Sequence, residues 1–297
     1  MYGDPRPVGL VLLVLLSAGC AGFGGDLTGR SADTVTPAPV PENATAYPPG
    51  IGPEGVLNPG ALGEAHGDAL NGTGYVLTAN RTARYPNGTL YSRHRVRVEL
   101  APNRTHSVRI STQGPGAPVL LGRPPASATF WSDGDRFLRR LERDDRTIYN
   151  EYTPPDSYAG TWRYWVHDVA LDGRPADDVT ETIGAFRTRT VGATRDGTVT
   201  VGGTELRDDR VGDELVTDTA NASLVARVEP DGLVRFYRVT YRTDTPDETT
   251  VHVTRTVRVE AVGNTTVGRP AWYDRAVGSD VGPAGTDSVR STPTAPP

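Results

Sequence analysis

In Arg95-Val96-Arg97-Val98-Glu99-Leu100 every second side chain is apolar and every other one is charged. A period of two sends one face of an extended segment into a core and the other into water. This is the signature of a half-buried strand in an antiparallel sheet. The pattern recurs along the chain. Tyr237, Val239 and Tyr241 oppose Arg238, Thr240 and Arg242, and Val251, Val253, Val257, Val259 and Ala261 share a face of the next run. Turn chemistry joins the runs at Tyr85-Pro86-Asn87-Gly88, Ala101-Pro102-Asn103, Arg195-Asp196-Gly197, Pro230-Asp231-Gly232 and Thr245-Pro246-Asp247. Strands are expected at 75–83 and 90–100, then around Val108 and Ile110, at Phe130-Trp131 and 137–141, and at 147–152. Five more are expected at 186–194, 198–206, 224–229, 233–243 and 251–262. The fold class that follows is mainly β with a few helices (α+β), built on a long antiparallel meander.

Two helices interrupt the meander. Asn58 can cap the first, with Pro59 at a position that needs no N–H, and Leu62, Ala65, Ala69 and Leu70 form its apolar stripe until Asn71-Gly72 stops it. Thr161–Leu171 carries Trp162, Trp165, Val166 and Val169 at helical spacing. It reads as an amphipathic helix laid against the sheet, with a strand as the alternative.

The N-terminus reads as an address. Val8–Leu16 is an apolar run of nine residues, against the about 20 that a spanning helix needs. Arg6 precedes it and Ser17-Ala18-Gly19-Cys20 follows, which fits a secretory signal with a small-residue cleavage site. The single cysteine at the end of such a run is the lipobox pattern, although Ser17 occupies the position three before Cys20 where an aliphatic residue is usual. Lipidation of Cys20 is therefore expected, giving a membrane anchor. An ordinary cleaved signal is the alternative, and it would leave an unpaired thiol outside the cell. The expected organisation is a signal peptide at 1–19, a disordered Gly/Pro/Thr/Ala-rich tether at 20–55, a folded domain at 56–278 and a disordered tail at 279–297. Seven of the nine asparagines open an N-x-[ST] tripeptide: Asn43, Asn71, Asn80, Asn87, Asn103, Asn221 and Asn264. Several fall at turns, so they are candidates for glycosylation on an exported chain.

All 31 basic residues are arginine, and the net charge is -5. No basic run with interleaved aromatics is present, so nucleic acid is not an expected partner. Gly50-Ile51-Gly52-Pro53-Glu54-Gly55 matches a dinucleotide fingerprint in letters only, since Pro53 removes an amide and no strand–helix context flanks it. His66, His94, His106, His167 and His252 share no metal-ligand spacing and read as scattered surface residues. The doublets Asp144-Asp145, Asp177-Asp178 and Asp208-Asp209 read as solvated turns. No catalytic motif, metal or cofactor is expected.

One residue breaks its local pattern. Arg255 falls on the apolar face of the 251–259 run, and a buried guanidinium needs a partner. An internal ion pair and a strand bend that turns it outward are the structural readings. An anchor for an anionic or carbonyl head group inside an apolar cavity is the functional one.

The lipobox, the tether, the one N-terminal helix, the long antiparallel meander, the Trp-bearing helix mid-chain and three stretches carry a resemblance. The stretches are Leu57-Asn-Pro-Gly-Ala-Leu-Gly-Glu-Ala-His-Gly-Asp-Ala-Leu-Asn-Gly-Thr-Gly-Tyr75, Glu229-Pro-Asp-Gly-Leu-Val-Arg-Phe-Tyr-Arg-Val-Thr-Tyr241 and Arg269-Pro-Ala-Trp-Tyr-Asp274. They resemble haloarchaeal surface lipoproteins, themselves similar to the half-barrel superfamily of bacterial lipoprotein carriers and mycobacterial lipid-carrying lipoproteins. The resemblance implies an open half-barrel with helices on its concave face, able to take acyl or isoprenoid chains. The cavity residues expected on that basis are Val96, Val98, Trp162, Trp165, Tyr237, Val239, Tyr241, Val253, Arg255 and Val257. The function expected is non-enzymatic binding of a lipid-like ligand on the outer face of the cell membrane. A structural or protein-interaction lipoprotein with a self-filled core is the alternative.

Overall fold

The computed structural model describes residues 47–119, 121–152, 175–212, 214–245 and 247–279. The expected signal peptide, Cys20, Asn43, the 161–171 segment with Trp162 and Trp165, and all of the tail beyond Ser279 lie outside the described residues.

The first half of the chain supplies a two-residue hairpin, β1 (Ile51–Gly52) and β2 (Gly55–Val56), and helix α1 (Pro59–Leu70). The strands β3 (Tyr75–Arg84), β4 (Leu90–Leu100), β5 (His106–Gln113), β6 (Ala126–Ser132), β7 (Phe137–Arg143) and β8 (Arg146–Tyr152) then follow. The second half opens with helix α2 (Pro175–Gly184), then β9 (Phe186–Ala193), β10 (Val199–Leu206) and the short hairpin β11 (Arg210–Val211) and β12 (Glu214–Leu215). It closes with β13 (Ser223–Val228), β14 (Val234–Asp244), β15 (Thr250–Glu260) and the single turn α3 (Tyr273–Ala276). Eleven strands form one antiparallel sheet in the order β8-β7-β6-β5-β4-β3-β15-β14-β13-β10-β9. The sheet is open, with β8 and β9 at its edges. This is the expected fold class, and β4 occupies the expected residues 90–100.

The registers explain why the alternation works across the whole sheet. One cross-strand row reads Val201, Ala226, Tyr237, Val257, Ala79, Val96, Ile110, Ala128, Leu141 and Ile148, one residue from each of ten strands. A period of two forces every residue of this row to the same side, and none of them is charged. The two large core clusters of buried residues contain most of the row. Trp131, on the opposite face, is covered separately. Its Nε1 donates to the Gly268 carbonyl at 3.0 Å, and it packs with Leu138, Trp272 and Ala276.

The folded region begins before residue 56. Ile51 and Val56 are buried in the core, the Val56 N–H donates to Thr188 Oγ1 at 2.8 Å, and Thr190 Oγ1 donates to the Gly52 carbonyl at 2.7 Å. The glycines of the fingerprint-like string thus serve a hairpin docked on β9. At Gly55 (φ +126°) a Cβ would lie 2.4 Å from the Thr188 carbonyl oxygen.

Helix α1 starts as expected, with Asn58 Oδ1 accepting the Ala61 N–H at 3.1 Å. Its buried residues are Leu62, Gly63, His66 and Leu70, so Ala65 and Ala69 flank the stripe instead of forming it. The reason is α2, which crosses so closely that a Cβ on Gly63 would meet Thr180 Oγ1 at 2.0 Å and the Ala176 carbonyl oxygen at 2.5 Å. Among the histidines, His66 and His106 are buried, contrary to the expectation of surface residues. His66 Nδ1 accepts the Val234 N–H at 3.1 Å. That amide lies where the β13–β14 register slips by one residue, so the imidazole fastens α1 to an irregular point of the sheet.

This bond has a pH signature. Burial, partly opposed by Asp178 and Asp231, lowers the His66 pKa from 6.5 to about 4. The unfolded chain takes up a proton near the ordinary value and the folded chain only near the lowered one, so stability falls as pH drops through this window. The loss is about 3 kcal/mol in full. Comparing urea unfolding of the wild type and His66→Asn at about pH 7 and about pH 4.5 should show a smaller acid-induced loss for the variant. Equal losses would remove His66 as the source.

Candidate functional site

Two residues along each strand from the apolar row runs a second row on the same face: Leu224, Val239, Arg255, Arg81, His94, Thr112 and Ala126. It begins apolar and turns polar at the centre of the sheet. Arg255 and Arg81 lie directly opposite each other on β15 and β3. Like charges in that position repel, so each needs its own counter-charge from outside the sheet.

Both are supplied. On α2, the Asp178 carboxylate accepts from the Arg255 guanidinium through one oxygen and from the Tyr237 hydroxyl through the other. Arg255 Nη1 also donates to Thr182 Oγ1 at 3.2 Å, and its guanidinium stands 5.7 Å from the centre of the Tyr237 ring. On β12, Glu214 takes a bidentate pair from Arg81 at 2.8 and 2.6 Å and a bond from the Tyr241 hydroxyl at 2.8 Å. Arg255 is thus inward-facing and ion-paired, the first of its structural readings. Its partner corrects another expectation. Asp177-Asp178 is no solvated turn; it forms the first turn of α2, where a carboxylate is favoured by the helix N-terminus.

The protonation states follow from the pairing. Burial alone would raise the Glu214 carboxyl, but Arg81 outweighs it and holds the group below its ordinary value. Burial, and then the charge of Asp178, push the Tyr237 hydroxyl well up. Burial and Glu214 do the same to Tyr241. Both tyrosines therefore stay protonated donors. Burial, helped by the nearby Arg81 charge, lowers the His94 pKa, which favours the neutral imidazole beside the two guanidiniums.

The strip is not sealed. The side chains of Arg81 and Glu214 retain 30% and 35% of their accessible surface, and those of Arg255 and Asp178 retain 28% and 29%. The expected cavity residues behave differently. Val96, Val98, Tyr237, Val239, Tyr241, Val253 and Val257 all share the helix-facing side but are only 0–8% exposed. They are packed core: Tyr237, Val239, Tyr241, Val253 and Val257 cluster with Leu62 of α1, Val179 and Ile183 of α2 and Val211 of β11, and Val96 and Val98 cluster with Leu70 of α1. What the structure leaves reachable is the polar strip and not the apolar floor. Asp178 and Glu214 were missed because their strand partners lie 77 and 133 residues away. The α2 signals were nevertheless present: Pro175 at the start, acids at 177 and 178, and Val179 and Ile183 four apart.

Among the described sequons, Asn71, Asn87, Asn103, Asn221 and Asn264 are exposed. Asn87 Oδ1 accepts from the Thr89 N–H and hydroxyl, and Asn103 Oδ1 from the Thr105 N–H at 3.2 Å. Asn80 is the exception. It lies within β3, half-buried, with its Nδ2 donating to Thr82 Oγ1 at 3.4 Å, so the expected exposed turn is absent there. Among the described residues, no group of three or more His, Cys, Asp or Glu could hold a metal ion, and no helix is long and apolar enough to cross a membrane.

No family model and no curated protein matches the sequence. Solved structures similar to it include LprF from Mycobacterium bovis, at 12% identity and a TM-score of 0.36, over 71% of this chain and 95% of that one. A DUF1329 family protein from Desulfovibrio piger is similar at 11% identity and a TM-score of 0.26, over 72% of this chain and 95% of that one. A LolA superfamily protein from Nitrosomonas europaea is similar at 8% identity and a TM-score of 0.24, with the same coverage.

The Asp178–Arg255 pair should be measurable as a coupling. Both side chains keep more than a quarter of their surface in water, so the loss should stay below that of a fully buried pair. Asp178→Ala should cost about 2 kcal/mol in urea unfolding, and Asp178→Ala with Arg255→Met about 1 kcal/mol less than the sum of the single changes. Additive losses would mean that the pair is not an energetic unit.

Proposed function

We propose that this protein is an extracytoplasmic lipoprotein, anchored through lipid on Cys20, that binds an amphiphilic, lipid-like ligand without chemically altering it. The observation that carries the reading is the half-open strip of Arg255, Asp178, Arg81 and Glu214 directly beside an apolar row that crosses ten strands. Polar and apolar side chains meet there along one line, which is the division an amphiphile has along its own length. The strip offers donors and acceptors of both signs, so a polar head group can exchange hydrogen bonds with the ion pairs, while its chain would replace side chains that pack beneath α2. Arg255 would then contribute through its remaining exposed edge, because its other face is held by Asp178. The exposed sequons at Asn71, Asn87, Asn103, Asn221 and Asn264 suit glycosylation on the outer side of the membrane.

A second reading has its own support. Val98, Val239 and other residues of the floor are completely buried by the protein itself, as a self-filled structural or protein-interaction lipoprotein would require. Lipid content separates the two. The full chain, purified without detergent and extracted for mass spectrometry, should carry stoichiometric lipid. Arg81→Gln with Glu214→Gln, which removes both charges of one ion pair together, should carry less lipid while keeping the wild-type circular dichroism spectrum. Lipid-free wild-type protein that also fails to take up added phospholipid would leave the self-filled reading standing.

A further inference from the structure

The opposite face of the same sheet holds a second site, which the linear sequence conceals. Outward positions Arg95, Arg97, Arg109, Ser111, Ser127 and Glu142 of β4 to β7 form the floor of a cavity of about 860 Å³ that wraps over the strand ends, where Thr112, Ala126 and Arg143 of the helix-facing row, the 123–125 loop and the β7–β8 turn complete its lining. Six arginines border it: Arg95, Arg97, Arg109, Arg123, Arg143 and Arg146. Among the described residues, three acids, Glu142, Asp144 and Asp145, are the only carboxylates in its lining. The cavity is therefore cationic within a chain whose net charge is -5.

The arrangement differs from ordinary surface charge in two ways. First, the floor is built on paired strands. Arg97 lies directly opposite Arg109, and Arg95 opposite Ser111, which is followed by Ser127 and Glu142 on the next strands. Directly opposed side chains start about 5 Å apart, so the Arg97 and Arg109 stems are crowded together by the register despite their repulsion. Second, the nearby acids are committed elsewhere or sit at the rim. Glu142 accepts from Ser127 and Arg140 at 2.8 Å each, and Arg97 pairs with Glu99 at 2.9 Å. Asp144 and Asp145 form the exposed turn, with φ of 49° and 56°. Arg95, Arg109, Arg123, Arg143 and Arg146 make no ion pair among the described residues. Although Arg109 helps to hold the Glu142 carboxyl below its ordinary value, no carboxylate among the described residues lies within ion-pair distance of these forks, which leaves them able to meet oxygens from outside; guanidinium binds phosphate-like oxyanions through parallel hydrogen bonds. Ser111 and Ser127 add hydroxyls on the floor.

We propose that this cavity binds a ligand bearing two or more phosphate or sulfate groups. A single oxyanion would engage one or two of the forks, whereas a polyvalent one spans the floor and the rim together. The floor of this site lies on the other face of the sheet from Arg255, Asp178, Arg81 and Glu214, none of which lines it; the two meet only through Thr112 and Ala126 at the strand ends. The shared oxyanion chemistry can come from a soluble polyanion or from a surface of anionic lipid head groups.

The test uses the full chain and two probes. Inorganic tripolyphosphate is titrated by calorimetry, and cosedimentation compares phosphatidylglycerol with phosphatidylcholine vesicles, so that any contribution of lipid on Cys20 is common to both. Arg95→Gln with Arg109→Gln should weaken tripolyphosphate binding, or abolish the preference for anionic vesicles, by at least roughly tenfold. Arg238→Gln removes an exposed charge from the same face of the sheet, outside the cavity. It should leave both readouts within about twofold. Tripolyphosphate binding without a vesicle preference identifies a soluble polyanion, and the reverse identifies a membrane surface. The proposal is overturned if the wild type binds neither probe, if the double variant binds as the wild type does, or if Arg238→Gln weakens binding equally.

Discussion

The pairing of β15 with β3 makes one sheet out of two meanders. Strands β3 to β8 each pair with the next in sequence, as do β9 and β10 and then β13 to β15, and the first and last long strands of the chain meet in the middle. Nine residue pairs run from His252↔Arg84 to Glu260↔Val76. Contacts this distant in sequence carry a high closure cost, and this one also sets two arginines against each other. The repulsion is relieved only when Asp178 and Glu214 arrive from α2 and β12. The seam, the helix and the hairpin therefore depend on one another. The sheet positions the guanidiniums, and the guanidiniums fix the elements that cover the sheet.

That dependence gives the helix-facing side its character. An apolar row alone would be a plain core, and a polar row alone would need water. Set side by side, they let the protein bury most of the valines while keeping a charged line partly wet. Within the strip, charges of opposite sign are balanced one to one. A ligand bound there as proposed would be selected by hydrogen-bond geometry and by how well its apolar part replaces protein packing, since the strip exerts little net pull on a charge of either sign.

The strands were legible because their information is local. An alternation such as Arg95 to Leu100 fixes which side chains go inward whatever the rest of the chain does, and Asn-Gly or Asp-Gly turns fix where the run reverses. Arg255 was legible as an anomaly for the same reason. Its partner was not, because nothing near residue 178 in sequence refers to residue 255. Helix α2 was hidden by its length, ten residues with Thr180 and Thr182 inside, too few for a clear period and rich in a residue of modest helix propensity. His66 read as one of several scattered surface histidines. It is buried because the irregular β13–β14 register left a backbone N–H in need of an acceptor.

The two faces use the same cation for opposite ends. Arginine cannot shed its charge under ordinary conditions, so every guanidinium brought to this sheet must be paired or left to solvent or ligand. On the helix-facing side the pairing is internal, at 2.8 and 2.6 Å for Arg81. On the outer side the alternation that keeps the core apolar places arginines from neighbouring strands together, with too few acids to neutralise them. Raising the salt should therefore separate the faces. Screening at about 1 M confines charge effects to roughly 3 Å. Bonds between groups already in contact survive that limit, while attraction across an open cavity does not. A ligand held on the outer face at high salt must then touch the forks directly, and the strand register already sets the spacing at which it can.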